Sequence, residues 1–164
     1  MKALDALSSL MNRAMAAVAG VALIAMMLFT VADMILRGLG RPVAGSYEVI
    51  GWLSATAMAL ALGYAQLHRG HVTIDLVVRM LGPRTRALVD AVVGLASLLL
   101  FVAVAWYVGS YGIVLHESGS LSETLKAIVY PWVYVVAVGC AGLALALLAD
   151  FVRALARAFV KGEG

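Results

Sequence analysis

The sequence predicts an all-α integral membrane protein with four transmembrane helices, forming a single domain over residues 1–164. Of the 164 residues, 64% are hydrophobic and 13% are charged, whereas soluble domains are about half apolar and about a quarter charged. The apolar residues fall into four runs, each long enough to cross the roughly 30 Å hydrocarbon layer as a helix. A soluble core of this size could not bury runs of that length.

The first two runs cover residues 14–36 and 46–67. The first run exceeds the roughly 7 to 15 residues of a secretory signal core, and it carries Asp33 four residues before Arg37. It therefore predicts a retained membrane anchor. The second run places Glu48 in its first turn, where the helix dipole favours a carboxylate.

The last two runs cover residues 87–115 and 127–149. The third run would be about 43 Å long as a helix, so it should tilt or project beyond the membrane. Ser120 and Glu123 have the spacing of a capping box. This spacing predicts that a helix starts at Leu121 and is kinked at Pro131.

The basic residues predict the orientation, because short loops rich in Lys and Arg stay in the cytoplasm. Nine of the twelve lie at the two chain ends or between the second and third runs; the exceptions are Arg37, Arg41 and Lys126. Both termini and the middle loop are therefore predicted to be cytoplasmic, and the loops around Pro42 and Gly119 should face outward. The net charge of +3 reflects this topology and requires no nucleic-acid partner.

The connection between the second and third runs predicts a short amphipathic helix over residues 73–81. Its aliphatic residues cover one broad face, while Asp75 and Arg79 lie together on the opposite face. Such a helix lies in the membrane interface in contact with lipid. Gly82 and Pro83 end it.

The second run carries a small residue at every fourth position: Gly51, Ala55, Ala59 and Gly63. Membrane helices associate through close backbone approach, which small residues allow. This spacing indicates a contact face for another helix, although Ala and Gly are frequent throughout the chain. The sequence does not say whether that helix belongs to this chain or to another.

No catalytic site, metal site or cofactor is predicted. The ionisable residues lie near the helix ends, whereas a membrane enzyme or pump places them within its helices. His68 and His71 are three residues apart, but only Asp75 lies near enough in sequence to join them, too few ligands for a metal site. We find no nucleophile, phosphate-loop or zinc motif. The sequence thus predicts a protein that is not an enzyme.

The chain resembles the DctQ-like small membrane subunit of tripartite ATP-independent periplasmic (TRAP) transporters in three groups of residues. The resemblance covers nearly the whole chain, and the four short-looped helices with cytoplasmic ends match that family's architecture. The matching residues are Arg37, Gly40, Pro42 and Glu48 after the first run, Gly70, His71, Val72, Asp75 and Pro83 in the connection, and Ser122, Thr124, Leu125, Pro131 and Trp132 before the fourth. Pro131 and Trp132 are adjacent here, and their spacing from Thr124 is looser than in the family pattern.

The resemblance implies a non-catalytic role in the bacterial inner membrane. A large DctM-like membrane subunit would carry the substrate and sodium sites, and a periplasmic DctP-like binding protein would deliver an organic acid. The small subunit would brace the large one and help to dock the binding protein. The outward-facing charged residues are then docking candidates: Arg37, Arg41, Glu117 and Glu123.

Two alternatives remain at this stage. A self-contained small transporter, built by oligomerisation, needs a charge buried within a helix, and Asp33 and Glu48 lie near helix ends. A haem-bearing membrane anchor of a respiratory complex needs histidines within the helices. His68, His71 and His116 all lie at loops.

Overall fold

The computed structural model describes residues 2–68 and 83–160, and this part of the chain forms four α-helices. They are α1 (Lys2–Gly38), α2 (Ser46–Leu67), α3 (Pro83–Ser118) and α4 (Tyr130–Val160). All four are long and apolar enough to cross a membrane. The prediction of an all-α protein with four membrane-spanning helices is confirmed.

The helices extend beyond most of the apolar runs that predict them. α2 has the same bounds as its run, but α1 begins twelve residues before residue 14 and α4 ends eleven residues after residue 149. Apolar character marks only the part of a helix inside hydrocarbon, while backbone hydrogen bonding continues into polar flanks. α1, with 37 residues, is about 55 Å long and therefore exceeds the membrane thickness. The amphipathic helix predicted over residues 73–81, which includes Asp75, lies outside the described residues, as does His71.

The predicted helix start at Leu121 is wrong. Residues 119–129 form a loop in which Leu121 and Ile128 make an antiparallel bridge, and α4 begins at Tyr130. Pro131 therefore lies in the first turn of α4, where its missing N–H has no helical partner to lose. The predicted kink is wrong for the same reason.

α4 lies at the centre of the bundle. It packs along both α2 and α3, while α1 packs mainly on α2 and also contacts α4. The close approach of α2 and α4 depends on Gly139, since a Cβ atom there would lie 2.5 Å from the carbonyl carbon of Ala59. Gly112 of α3 faces the ring of Tyr134 in the same way. Trp106, on α3, is 73% exposed.

The distribution of basic residues makes the orientation testable. We expect a reporter that is active only in the periplasm to work when fused after Pro42 or Gly119, which lie in the two loops that are predicted to face outward. Fusions after Pro83 or at the C-terminus should be inactive, because the basic residues hold these segments in the cytoplasm. The opposite pattern of activity would invert the assigned topology.

Candidate functional site

The loop between α1 and α2 is closed around Asp33. One carboxylate oxygen of Asp33 accepts a hydrogen bond from the Arg37 guanidinium at 2.8 Å, and the other accepts the backbone N–H of Val43 at 3.1 Å. Asp33 is only 7% exposed. The spacing of Asp33 and Arg37 predicts their pairing, but the contact with Val43 comes from a residue ten positions away that no local pattern indicates.

The two arginines near the start of this loop, Arg37 in the last turn of α1 and Arg41 in the loop itself, differ in their contacts. Arg37 is paired with Asp33, lies 3.5 Å from the hydroxyl of Ser46, and has its guanidinium carbon 5.5 Å from the centre of the Tyr47 ring. Arg41 is exposed, and its side chain has no polar partner within the described residues. Of the two predicted docking arginines, Arg37 is therefore held by Asp33, although its side chain is 46% exposed, whereas Arg41 is exposed without such a contact.

Glu48 joins the start of α2 to the loop before α4. Its carboxylate accepts the backbone N–H groups of Thr124 at 2.7 Å and Leu125 at 3.1 Å. The Leu125 side chain packs on Gly45, the residue that precedes α2, which has a φ of 73°. Gly45 thus meets two requirements, because a side chain there would be strained and would overlap Leu125.

The remainder of that loop is held by its own hydrogen bonds. Ser122 donates its N–H to the carbonyl of Ala127 at 2.9 Å, and its hydroxyl accepts the N–H of Ala127 at 3.2 Å. Ser122 is 8% exposed, whereas Glu123 projects into solvent, as does Glu117 in the last turn of α3. Neither glutamate has a side-chain partner within the described part of the chain.

The four small residues of α2 face different surroundings. Ala59 and Gly63 are buried within this chain, where they meet Gly139 of α4 and Asn12 of α1. Gly51 and Ala55 are exposed, and a Cβ atom at Gly51 would meet nothing within 4 Å. Gly51 and Ala55 therefore form the exposed half of the predicted face.

In the exposed half of that face two small residues lie between two large ones, and we call this stretch the recess. Tyr47 and Met58 lie at its two ends and are 77% and 70% exposed. Gly51 and Ala55 lie between them at spacings of three or four residues, which place all four side chains on one side of the helix. On the side of α2 that faces α4, Trp52 stacks on Trp132 with ring centres 5.6 Å apart.

Asn12 forms a buried polar contact among three helices that the sequence pattern does not predict. It is fully buried, and its amide N–H group donates to the carbonyl of Ser8 at 2.9 Å and to that of Gly142 at 3.2 Å. The amide oxygen faces Gly63, so closely that a side chain there would overlap it. Asn12 and Ser8 were missed because they precede the apolar run that predicts α1.

The helix ends that are predicted to be cytoplasmic are joined by charged and polar groups. Asp150 of α4 accepts hydrogen bonds from Gln66 of α2 at 2.9 Å and from Arg153 at 2.7 Å. Arg153 also lies 3.6 Å from the carboxylate of Asp5 in α1. Ionic and polar contacts therefore tie the bundle at this end, as the contacts of Asp33 and Glu48 tie it at the opposite end.

The described histidines take part in ring contacts. His68 is exposed and lies over Tyr64 with ring centres 4.1 Å apart, and His116 meets the ring of Tyr130 edge-on at 4.8 Å. Within residues 2–68 and 83–160, no three histidine, cysteine or acidic side chains cluster closely enough to hold a metal ion. His71 lies outside the described residues.

Comparison with known proteins identifies the family. Residues 26–157 match tripartite ATP-independent periplasmic transporters, DctQ component. The chain belongs to the DctQ family. It is thus a small, multi-pass membrane subunit of a TRAP transporter. The DctQ family is a family of transporter components and not of enzymes. No curated protein matches the chain significantly.

Several of the residues that match the DctQ pattern make structural contacts in this chain. Glu48 binds the backbone of Thr124 and Leu125, so two of the three matching groups meet at one contact. Trp132 of the third group packs on Trp52. The family also implies, in general terms, association with a large membrane subunit and a periplasmic binding protein.

Proposed function

We propose that this DctQ-family subunit is a static scaffold that braces the large transport subunit and helps to dock the periplasmic binding protein. The observation that carries this proposal is the distribution of polar contacts. Asp33 and Glu48 tie the outer end, while Asp5, Asp150 and Arg153 tie the inner end. A bundle fastened at both ends suits a brace.

The uncharged centre of the bundle supports the same role. The middle stretches of the four helices, residues 21–29, 55–62, 93–105 and 135–147, contain no Asp, Glu, Lys, Arg or His. Transport of an ion or an organic anion through a membrane protein requires polar or charged groups along the path. The large subunit would therefore supply that path, and the scaffold would hold it in place.

The surface for the large subunit would be the recess of Gly51 and Ala55 on α2. Both residues are exposed in the isolated chain, and they are small enough to admit the backbone of a neighbouring helix. Ala59 and Gly63 are already occupied by α1 and α4. This division narrows the predicted four-residue face to its outer half.

The transported substrate would be an organic acid, taken up with sodium across the bacterial inner membrane. This part of the proposal rests on the resemblance to TRAP transporters. Its test is uptake into proteoliposomes that contain both membrane subunits, with added binding protein, a sodium gradient and a panel of radiolabelled organic acids. Liposomes that lack the small subunit should show no uptake. Equal uptake without it would contradict the scaffold role.

The same assay tests the docking arginines. Arg41→Glu should slow uptake by a factor of about three to ten at low binding-protein concentration, because exposed charge complementarity acts mainly on the rate of encounter. Excess binding protein should restore the rate, and added salt should shrink the difference. Arg37→Glu should instead reduce assembly, since it breaks the contact with Asp33. If Arg41→Glu matched the wild type across the titration, Arg41 would not take part in docking.

A further inference from the structure

The loop of residues 119–129, which we call the latched loop, is held in shape by Glu48 of α2. Glu48 is in the first turn of α2, where such a carboxylate commonly reaches back to cap its own helix. The residue preceding α2, Gly45, has no side-chain cap hydrogen bond, and both oxygens of Glu48 are used by the backbone of the latched loop. The carboxylate therefore fixes the loop and leaves its own helix start uncapped.

The latched loop displays a small apolar centre between charged residues. Leu121 and Ile128 face each other across the bridge and are 53% and 51% exposed. Glu123 and Lys126 are exposed at the tip and have no side-chain partner within the described residues. An apolar core inside a polar rim is the usual composition of a protein–protein interface.

Lys126, at the tip of the loop, has an unusual backbone conformation. Its φ is 52°, in the left-handed region that residues with a side chain rarely adopt. Glycine would meet this backbone requirement without strain. With a lysine there, the strained conformation also places a positive charge at the tip, three residues from the negative charge of Glu123.

The composition of the loop favours a soluble and transient partner over the large subunit. Permanent subunit interfaces are more hydrophobic and have few charged residues at their centre. Exposed charges of both signs suit a partner that must repeatedly find and leave a surface, because they act on encounter and register. A loop that is already fixed in shape also avoids the entropy loss of ordering on contact.

We infer that the latched loop is the element of this subunit that contacts the periplasmic binding protein, with Leu121 and Ile128 at the centre of the contact and Glu48 as the positioning residue. The inference rests on the proposed docking function for the identity of the partner. It adds the surface and the residue that holds its shape.

The test uses the complete membrane complex in nanodiscs and its fluorescently labelled binding protein. Glu48→Gln keeps the side-chain volume but removes the charge that holds two N–H groups. We expect hydrogen exchange at the amides of Thr124 and Leu125 to rise at least about tenfold, and the affinity for the binding protein to fall about tenfold. The large subunit should be retained.

A second variant removes the apolar centre and leaves the latch in place. Leu121→Ser combined with Ile128→Ser should weaken binding about tenfold without raising exchange at the two latched amides. Asp150→Asn is the matched control, because it removes a carboxylate with two hydrogen-bond partners at the opposite end of the bundle. It should leave hydrogen exchange at the amides of Thr124 and Leu125 unchanged.

Three results would overturn the inference. Unchanged exchange in Glu48→Gln would show that Glu48 does not position the loop. Wild-type affinity in both loop variants would show that the loop does not dock, and loss of the large subunit would assign the loop to that subunit. Failure of the proposed function itself looks different, because the wild-type complex would then not bind its binding protein.

Discussion

Ala59→Leu should destabilise this subunit, whereas Ala55→Leu should leave it stable but separate it from the large subunit. Ala59 is 5% exposed and lies against Gly139, so a larger side chain forces α2 away from α4. Overpacking of this kind costs about 1–3 kcal/mol, and more where the neighbour is backbone. Ala55 is exposed, so a leucine there should be tolerated by this chain and should block the approach of another helix.

The two variants differ in which measurement they change. Ala59→Leu should lower the yield and thermal stability of the isolated subunit in detergent. Ala55→Leu should retain both but lose the large subunit during co-purification. Ala103→Leu, at an exposed position on α3, is the matched control and should change neither. Co-purification of Ala55→Leu at the wild-type level would show that the recess on α2 is not the contact.

The split of the small-residue face could have been anticipated from helix geometry. A step of four residues advances an α-helix by roughly 400°, so each step rotates the side chain by about 40° relative to the one before. Between Gly51 and Gly63 the direction therefore turns by about 120°. One straight partner cannot lie along all four residues, and the structure gives Ala59 and Gly63 to this chain's own helices.

The fold class follows from the sequence because it depends on run length and hydrophobicity, which are local. The latched loop does not follow, since its shape comes from Glu48, 76 residues from Thr124. The Ser120 and Glu123 spacing is a short-range signal for a helix start, and it is overridden by hydrogen bonds that no local pattern contains. The burial of Asn12 does not follow from the sequence, because a polar residue outside an apolar run gives no local sign of burial.

Asn12 and Gly63 should show strong energetic coupling. Gly63 of α2 lies directly opposite the Asn12 amide oxygen, which is fully buried and has no hydrogen-bond partner among residues 2–68 and 83–160. A methyl group at position 63 would overlap that oxygen. Gly142 borders the same space, because a Cβ atom there would lie 3.1 Å from the oxygen. Asn12 therefore fits only because two facing positions are glycine.

Gly63→Ala should destabilise the subunit by about 1–3 kcal/mol, the usual range for overpacking. Asn12→Ala should cost less, because interhelical hydrogen bonds in membranes average only about 0.6 kcal/mol. It also clears the space that the new methyl group needs. The double variant should therefore be more stable than Gly63→Ala alone, a reversal that independent sites cannot produce. The melting temperatures of the wild type, the two single variants and the double variant, measured in one detergent, test this coupling. Gly20→Ala is the matched control, since nothing lies within 4 Å of a Cβ atom at that position. Additive losses in the double variant would mean that Asn12 and Gly63 are not in contact.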